Sequence, residues 1–319
     1  MRDLKKYEWF KRLPEDLLQR VSRLILEKGY GEGEVIFEEG SPGDSLCLVE
    51  EGEVAIRRWV DKASGKRKTI AVMEEGDFFG EMAVLDDKPR SASALASKRS
   101  KILVLRKDDF WGLIEEEPKT GIANFLLGMN RVMSERLRVA NQNFITTFEI
   151  GQIMATAATL SHLFDLTLEQ LSSAIEKSDA SFGALYDEFS EEFIILSKGG
   201  KDVERINDRE LTGEDSVIKE LISSRKWIYI EDEGEREKYS DFFNKICDAK
   251  SLMVSPIVRE ERLLGILFVV SFKEYHAFSQ ANRLLVGTVA SQIGPAIENL
   301  KYKEEEENRE RLRKRRYSY

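Results

Sequence analysis

Phe79-Gly80-Glu81-Met82-Ala83-Val84-Leu85-Asp86-Asp87-Lys88-Pro89-Arg90-Ser91-Ala92-Ser93-Ala94 decides how the rest of the chain is read. It sets an apolar turn, an acid, a tight loop and then a basic residue beside a hydroxyl. A carboxylate and a guanidinium separated by a short loop can grip a ligand that carries both a diol and a phosphate. The carboxylate accepts from hydroxyls, and the planar Arg fork pairs with two phosphate oxygens. Gly80 lets backbone come close to such a ligand, because no side chain stands in the way. The run from Glu81 to Leu85 is expected to form a short helical turn whose free N–H groups add to an anion site. The plainer reading of the same residues is a Pro-Arg β-turn with surface charges.

The stretch resembles the phosphate-binding cassette of the cyclic nucleotide-binding domain family, F-G-E-[LM]-A-L…P-R-[AST]-A, with the β-roll of the cAMP receptor protein kind. Gly33-Glu34-Val35-Ile36-Phe37-Glu38-Glu39-Gly40 and Gly43-Asp44 are similar to the early strands of that family. The resemblance covers about residues 7 to 142. It implies Glu81 for the ribose 2′-hydroxyl and Arg90 for the cyclic phosphate, within a ligand site formed by Gly80, Glu81, Met82, Ala83, Arg90, Ser91 and Ala92. The family's long helix closes over the base, and by that likeness Asn141 is a further candidate contact. The ligand implied is cAMP or cGMP. Ser91 offers a hydroxyl to phosphate or base and does not choose between them.

Outward from the cassette, the texture from Gly29 to Leu105 is one of short apolar runs: Val35–Phe37, Leu46–Val49, Val54–Ile56, Ile70–Val72 and Ile102–Leu105. Gly40, Gly43, Gly52, Gly65 and Gly76 punctuate them, as in a sandwich or barrel. Before them, Glu15 to Leu26 is expected to be helical, with Leu17, Val21, Leu24 and Ile25 on one face. After them, Phe110 to Ile114 is expected to be a short helix stopped at Pro118. A long helix follows, with apolar positions Ile122, Leu126, Met129, Met133, Leu137, Ala140, Phe144 and Phe148. Steps of three and four residues make one stripe. It either packs on its own roll or forms the seam of a homodimer, as in bacterial regulators of the family.

Beyond Phe148 the pattern changes to mixed helices and strands. Leu160 to Glu176 and Val217 to Ser223 read as helices. Phe182–Tyr186, Phe193–Leu196 and Trp227–Ile230 read as strands. Leu252–Val258 and Leu263–Phe272 read as a hairpin turning at Glu260-Glu261, and Ala281 to Leu300 as a final helix. This is an α+β domain. The run Ser255 to Leu267, and Phe278 to Asn299, resemble the closing hairpin and helix of GAF domains. The expected architecture is therefore a mainly-β cyclic nucleotide-binding roll with flanking helices, then an α+β GAF-like domain, joined by a long helix. The expected divisions are residues 1–148, 149–300 and a charged helical tail, 301–319.

The totals bound the function classes. At 319 residues two domains are expected. A net charge of -9 argues against general nucleic-acid binding. No apolar run reaches membrane-spanning length, and the N-terminus lacks the apolar stretch of a signal peptide, so a cytoplasmic protein without membrane attachment is expected. Cys47 and Cys247 lie far apart, with no metal-ligand spacing, and no metal is expected. Cys247 is followed by Asp248 rather than the His of a bilin-attaching site, and His162 and His276 are the histidines a haem could use. Lys198-Gly199-Gly200-Lys201-Asp202 lacks the pattern of a phosphate loop, and neither histidine sits in a nucleophile-elbow context, so no enzyme is expected. The second domain is read as a dimerising or relay module with an empty pocket, ahead of a sensor of an unnamed ligand. The function expected is a signalling protein that binds a cyclic nucleotide, cAMP before cGMP, and relays that binding to the GAF-like domain, with a downstream protein partner left open. The alternatives are a transcription regulator without a recognisable helix-turn-helix and a regulatory subunit of a separate enzyme. The basic end of the tail, Arg309 to Arg316, is a local patch that could touch nucleic acid or anionic lipid.

Overall fold

The structure is a computed structural model. It describes all residues except 1, 2, 8, 9, 12, 117, 118, 191, 208–210 and 317–319, and of 116, 119–122, 124, 125, 311, 312 and 314–316 it describes the backbone alone. The chain divides into two compact units, Met1–Val139 and Ala140–Tyr319. The division falls inside the long helix, earlier than the expected boundary after Phe148. Each unit is described by itself.

In the first unit, helix α1 (Glu15–Leu24) starts after Pro14 with Glu15 and Asp16 in its first turn, where acids suit the helix dipole. It buries Leu17, Leu18 and Val21. The helical reading through Leu26 is corrected here. Ile25 turns extended as its N–H closes on Val21 O, and Leu26 opens β1 (Leu26–Tyr30), paired with Val104. A helical pattern in the sequence yields to a strand partner some distance away. Then come β2 (Val35–Phe37), β3 (Ser45–Glu51), β4 (Val54–Asp61), β5 (Lys66–Met73), β6 (Phe78–Phe79), helix α2 (Glu81–Leu85), β7 (Ser93–Ala96), β8 (Ser100–Arg106) and helix α3 (Lys107–Glu116). They make two antiparallel sheets, ordered β1-β8-β3-β6 and β2-β7-β4-β5. Strand β3 shows how the core is layered. Its residues alternate, so Leu46 and Leu48 face the helices with Phe10, Leu17 and Phe110, while Cys47 and Val49 face Val54, Phe79 and Ala94 between the sheets.

Helix α4 (Lys119–Thr156) is the expected long helix. Its stripe divides. Met129 is buried and Met133 half-buried against the first unit's own core. Leu137, Phe144 and Phe148 are 62%, 70% and 60% exposed. The stop at Pro118 and the side chain of Ile122 lie outside the described residues.

The second unit takes Ile150 and Ile153 of α4 into its core. It continues with α5 (Leu160–Ala174), β9 (Ala180–Asp187), β10 (Glu192–Gly200), β11 (Leu211–Thr212), α6 (Ser216–Ser224), β12 (Ile228–Ile230), α7 (Glu233–Lys238), α8 (Ser240–Lys245), β13 (Ser251–Arg259), β14 (Arg262–Ser271) and α9 (Gln280–Arg316). The strands form one antiparallel sheet, β11-β10-β9-β14-β13-β12. Helices α5 and α9 cover one face and α6 and α8 the other. Strand β14 is buried on both sides: Leu264, Leu267 and Val269 meet α5 and α9, and Ile266, Phe268 and Val270 meet the opposite cluster. There Phe268 stacks on Phe182 at 4.1 Å and lies 5.8 Å from Phe242. The turn at Glu260-Glu261 is as expected, with both residues at positive φ (46° and 68°). The tail continues α9 as helix to Arg316.

Candidate functional site

The site forms where β6 ends. Gly80 follows Phe79 with φ 79°, a left-handed conformation that glycine adopts without strain, and caps α2. A Cβ at Gly80 would lie 2.6 Å from Arg90 Nη1, so a side chain here would also displace the guanidinium. Gly43 makes a second close approach: its Cβ would meet Ala83 Cβ at 2.3 Å, which fixes α2 against the loop before β3.

Arg90 is nearly fully buried, at 3% exposure. Its backbone is tied twice: its N–H donates to Ser41 O at 2.8 Å, and Gly40 N donates to Arg90 O at 2.8 Å. The guanidinium lies 4.1 Å from the Phe37 ring centroid. Nη1 donates to Gly80 O at 2.8 Å. Nη2 donates to Ser45 O at 2.7 Å, Ser45 Oγ at 3.0 Å and Asp44 Oδ1 at 3.1 Å. Nε is buried and donates to no atom of the described residues. A buried N–H of a charged group without an acceptor is costly, so this edge is suited to an oxygen-bearing anion. Asp44, by contrast, is 80% exposed, and its Oδ1 also accepts from Ser45 Oγ at 2.8 Å.

Across the cavity, burial raises the Glu81 carboxyl above its ordinary range, and the Arg136 guanidinium works against that rise. Arg136 Nη1 is 3.9 Å from Glu81 Oε1, and Nη2 is 3.4 Å from Asp77 Oδ1. Its guanidinium stands 4.8 Å from the Phe78 ring centroid. Gly80, Glu81, Met82, Ala83, Arg90, Ser91 and Ala92 all line one cavity. Phe37, Ile56, Ile70, Met73 and Phe79 supply an apolar wall. Ser91 Oγ approaches Met82 Sδ at 3.9 Å at the exposed rim. A cavity with a carboxylate, a guanidinium with one free edge and an apolar wall can hold a flat ring, hydroxyls and a phosphate together.

The helical contribution is corrected. Asn141 is exposed on α4 and belongs to the second unit. The residue of α4 that lines the cavity is Arg136, because the part of the helix seated on the roll is the stretch around Met129 and Met133. Sequence reasoning passed over Arg136 and over the apolar wall, since four of the wall residues come from strands β2, β4 and β5, away from the motif. The acid at position 81 was a signal for a basic neighbour somewhere, but not for which one.

In the second unit, Cys247 is buried, which pushes its thiol to about 12. His162 is exposed at the start of α5, and His276 sits beside Glu231 at 3.4 Å. Among the described residues, no group of three His, Cys, Asp or Glu is placed to hold a metal ion. Nor, among them, is any helix long and apolar enough to cross a membrane.

Comparison with known proteins follows the same division. The family model for the cyclic nucleotide-binding domain matches residues 27–117, and that for the GAF domain matches residues 157–298. Similar curated proteins include the Cyclic AMP receptor protein of Thermus thermophilus, 36% identical over 112 residues, which cover 35% of this chain and 49% of that protein. A cAMP-dependent protein kinase regulatory subunit of Aspergillus fumigatus is 44% identical over 86 residues, 27% of this chain and 19% of that one. A CRP-like cAMP-activated global transcriptional regulator of Mycobacterium tuberculosis is 26% identical over 185 residues, 53% of this chain and 80% of that one. The chain thus spans about half the length of the first of these relatives and about a fifth of the second.

Proposed function

We propose that this chain, which carries a cyclic nucleotide-binding domain followed by a GAF domain, is a signalling protein whose first domain binds cAMP and relays that binding to the second. The observation that carries the reading is the buried Arg90 with a free Nε edge, set in one cavity with Glu81. The cyclic phosphate accepts from Arg90, competing with the exposed Asp44 for one side of the fork. The ribose 2′-hydroxyl donates to Glu81, and the apolar wall takes the base. That the similar proteins are named for cAMP supports reading cAMP, rather than cGMP, as the ligand.

The relay runs through α4, which contributes Met129 to the first core and Ile150 to the second. The exposed part of its stripe, Leu137, Phe144 and Phe148, is read as the seam of a homodimer. Free, buried Cys47 and Cys247 suit the reducing cytoplasm. The role proposed is binding and relay rather than catalysis, with the output delivered to a protein partner.

Calorimetric titration with cAMP and cGMP tests the binding. Arg90→Ala is expected to lower affinity by about 2–5 kcal/mol, roughly thirty- to several-thousand-fold. Wild-type affinity in that variant overturns the assignment, as does failure of the intact chain to bind either nucleotide at about 1 mM.

A further inference from the structure

The second unit carries an open groove that nucleotide binding does not use. The end of β9, the start of β10, the start of β14 and the outer part of α9 form it. Phe189, Ile194 and Tyr302 stand in it, and all three are more than half exposed. Monomeric surfaces seldom leave such a group of large apolar side chains together without a use for it. The groove is also acidic. Asp187, Glu188, Glu298, Glu304 and Glu305 line it, against Arg262 and Lys301. Arg262 is already held by Glu188 at 3.2 Å, and Lys301 Nζ donates to Tyr186 O at 3.3 Å. Glu298 is likewise held, by Arg259 at 2.9 Å, so the acids of the groove with no basic partner among the described residues are Asp187 and Glu304.

Helix α9 runs on past its own core. Leu300 is the last buried residue of α9 among the described residues, and Tyr302 to Glu310 are all exposed. In this outer part Glu304-Glu305-Glu306-Glu307 is followed by Arg309, Arg311, Arg313, Lys314, Arg315 and Arg316, with Leu312 among them. One pair within the helix, Arg309 with Glu305 at 3.7 Å, is exposed and contributes little. A solvated helix end of this kind is marginal by itself.

We propose that the groove takes the basic end of α9 from a second copy of this chain, the two helices running antiparallel. The acidic wall and the basic segment lie on one helix, in that order. A two-fold axis between antiparallel helices therefore sets each copy's acids against the other's bases, twice over, as an isologous contact requires. A parallel pair would set Glu against Glu and Arg against Arg, which is repulsive. The apolar residues of the groove give the contact area that charge alone does not supply. This contact is independent of the seam on α4 and of nucleotide binding.

The test uses the full chain. Cys47 and Cys247 are buried, so a new surface cysteine reacts alone. Chains carrying Glu305→Cys and chains carrying Arg313→Cys are co-expressed, purified and treated with a short bis-maleimide. Both positions are exposed, and circular dichroism checks that the fold is kept. Covalent dimer is expected when both variants are present and next to none with either alone. The yield should fall at about 1 M salt, where the Debye length is about 3 Å. Glu304→Arg with Glu305→Arg should weaken the association, and co-expression with Arg313→Glu and Arg315→Glu chains should restore it. Cross-linking of Glu305→Cys with itself means a parallel pair and overturns the proposal. So does the absence of cross-linked dimer with both variants present, which would leave the groove to a different, basic partner.

Discussion

Burial raises the Glu81 carboxyl above the usual carboxylate range, and Arg136 at 3.9 Å offsets only part of that rise. The native chain therefore holds this proton at a pH where the unfolded chain has lost it. By linkage, stability falls as pH climbs from the ordinary glutamate value of about 4.3 through the raised one. Glu81→Gln keeps the shape and removes the charge. It should raise the melting midpoint of the first unit at pH 7 and raise it less at about pH 4, while weakening nucleotide binding. Calorimetric melts at the two pH values check this. An equal gain at both would show that the ionised carboxylate carries no such cost. Affinity should also decline as pH falls through the raised value, since a protonated carboxyl accepts less well from a diol. Arg90 and Glu81 were legible in the sequence because the loop between them is short. Arg136 was not, because it reaches the same cavity from a helix far along the chain.

At the scale of elements, the β13–β14 hairpin turns through two left-handed residues that are not glycine, Glu260 and Glu261. Left-handed backbone costs a non-glycine residue about 1–2 kcal/mol, and glycine gives back about 0.5–1 kcal/mol in unfolded-chain entropy. Glu260→Asn with Glu261→Gly fits the same turn and should stabilise the second unit by about 1 kcal/mol, read as a higher denaturant midpoint with an unchanged slope. The outer stripe of α4 yields a prediction of the opposite sign. At a dimer seam Leu137 would be desolvated, and Leu137→Glu would bury a charge there at a cost of several kcal/mol. Light scattering at about 1 M salt, where the charged contact of α9 is screened, should show monomer for this variant with its helix content intact. A wild-type chain that is monomeric at about 100 µM ends the seam on α4. The sequence could show that the stripe was apolar, but not how much of it the protein's own core would take. Met129 and Met133 meet their partners in α1, β3 and α3, and that is a matter of packing.

At the scale of the whole molecule, α4 is one helix with side chains in two cores. A ligand moves such an element only if it binds one position of it more tightly than another, and couplings of this kind are typically about 1–3 kcal/mol. Saturating nucleotide should change hydrogen exchange in Ile150 to Leu160 and in the hairpin from Leu252 to Phe272, beyond the binding domain. Insertion of Gly-Gly after Asn143 should keep the affinity and erase that distant change, since glycine breaks the helical connection. Exchange that alters only before about Asn143 in the wild-type chain would mean two independent domains.

What the sequence determined by itself was local. Alternation and glycine spacing marked strands β3, β5 and β8, the step of three and four residues marked α4, and the Phe79–Ala94 run marked the cassette. Each signal lies within a few turns or one strand, so it is written in neighbouring residues. Tertiary structure decided what depends on distant partners. The α1 pattern ends at Leu24 because Leu26 pairs with Val104. Strand β7, small and little patterned, is a strand because β2 and β4 flank it. Arg136 and the apolar wall enter the cavity because two sheets and a helix close around it. Backbone groups and side chains must be satisfied wherever the fold brings them, and the chain's order does not record that distance.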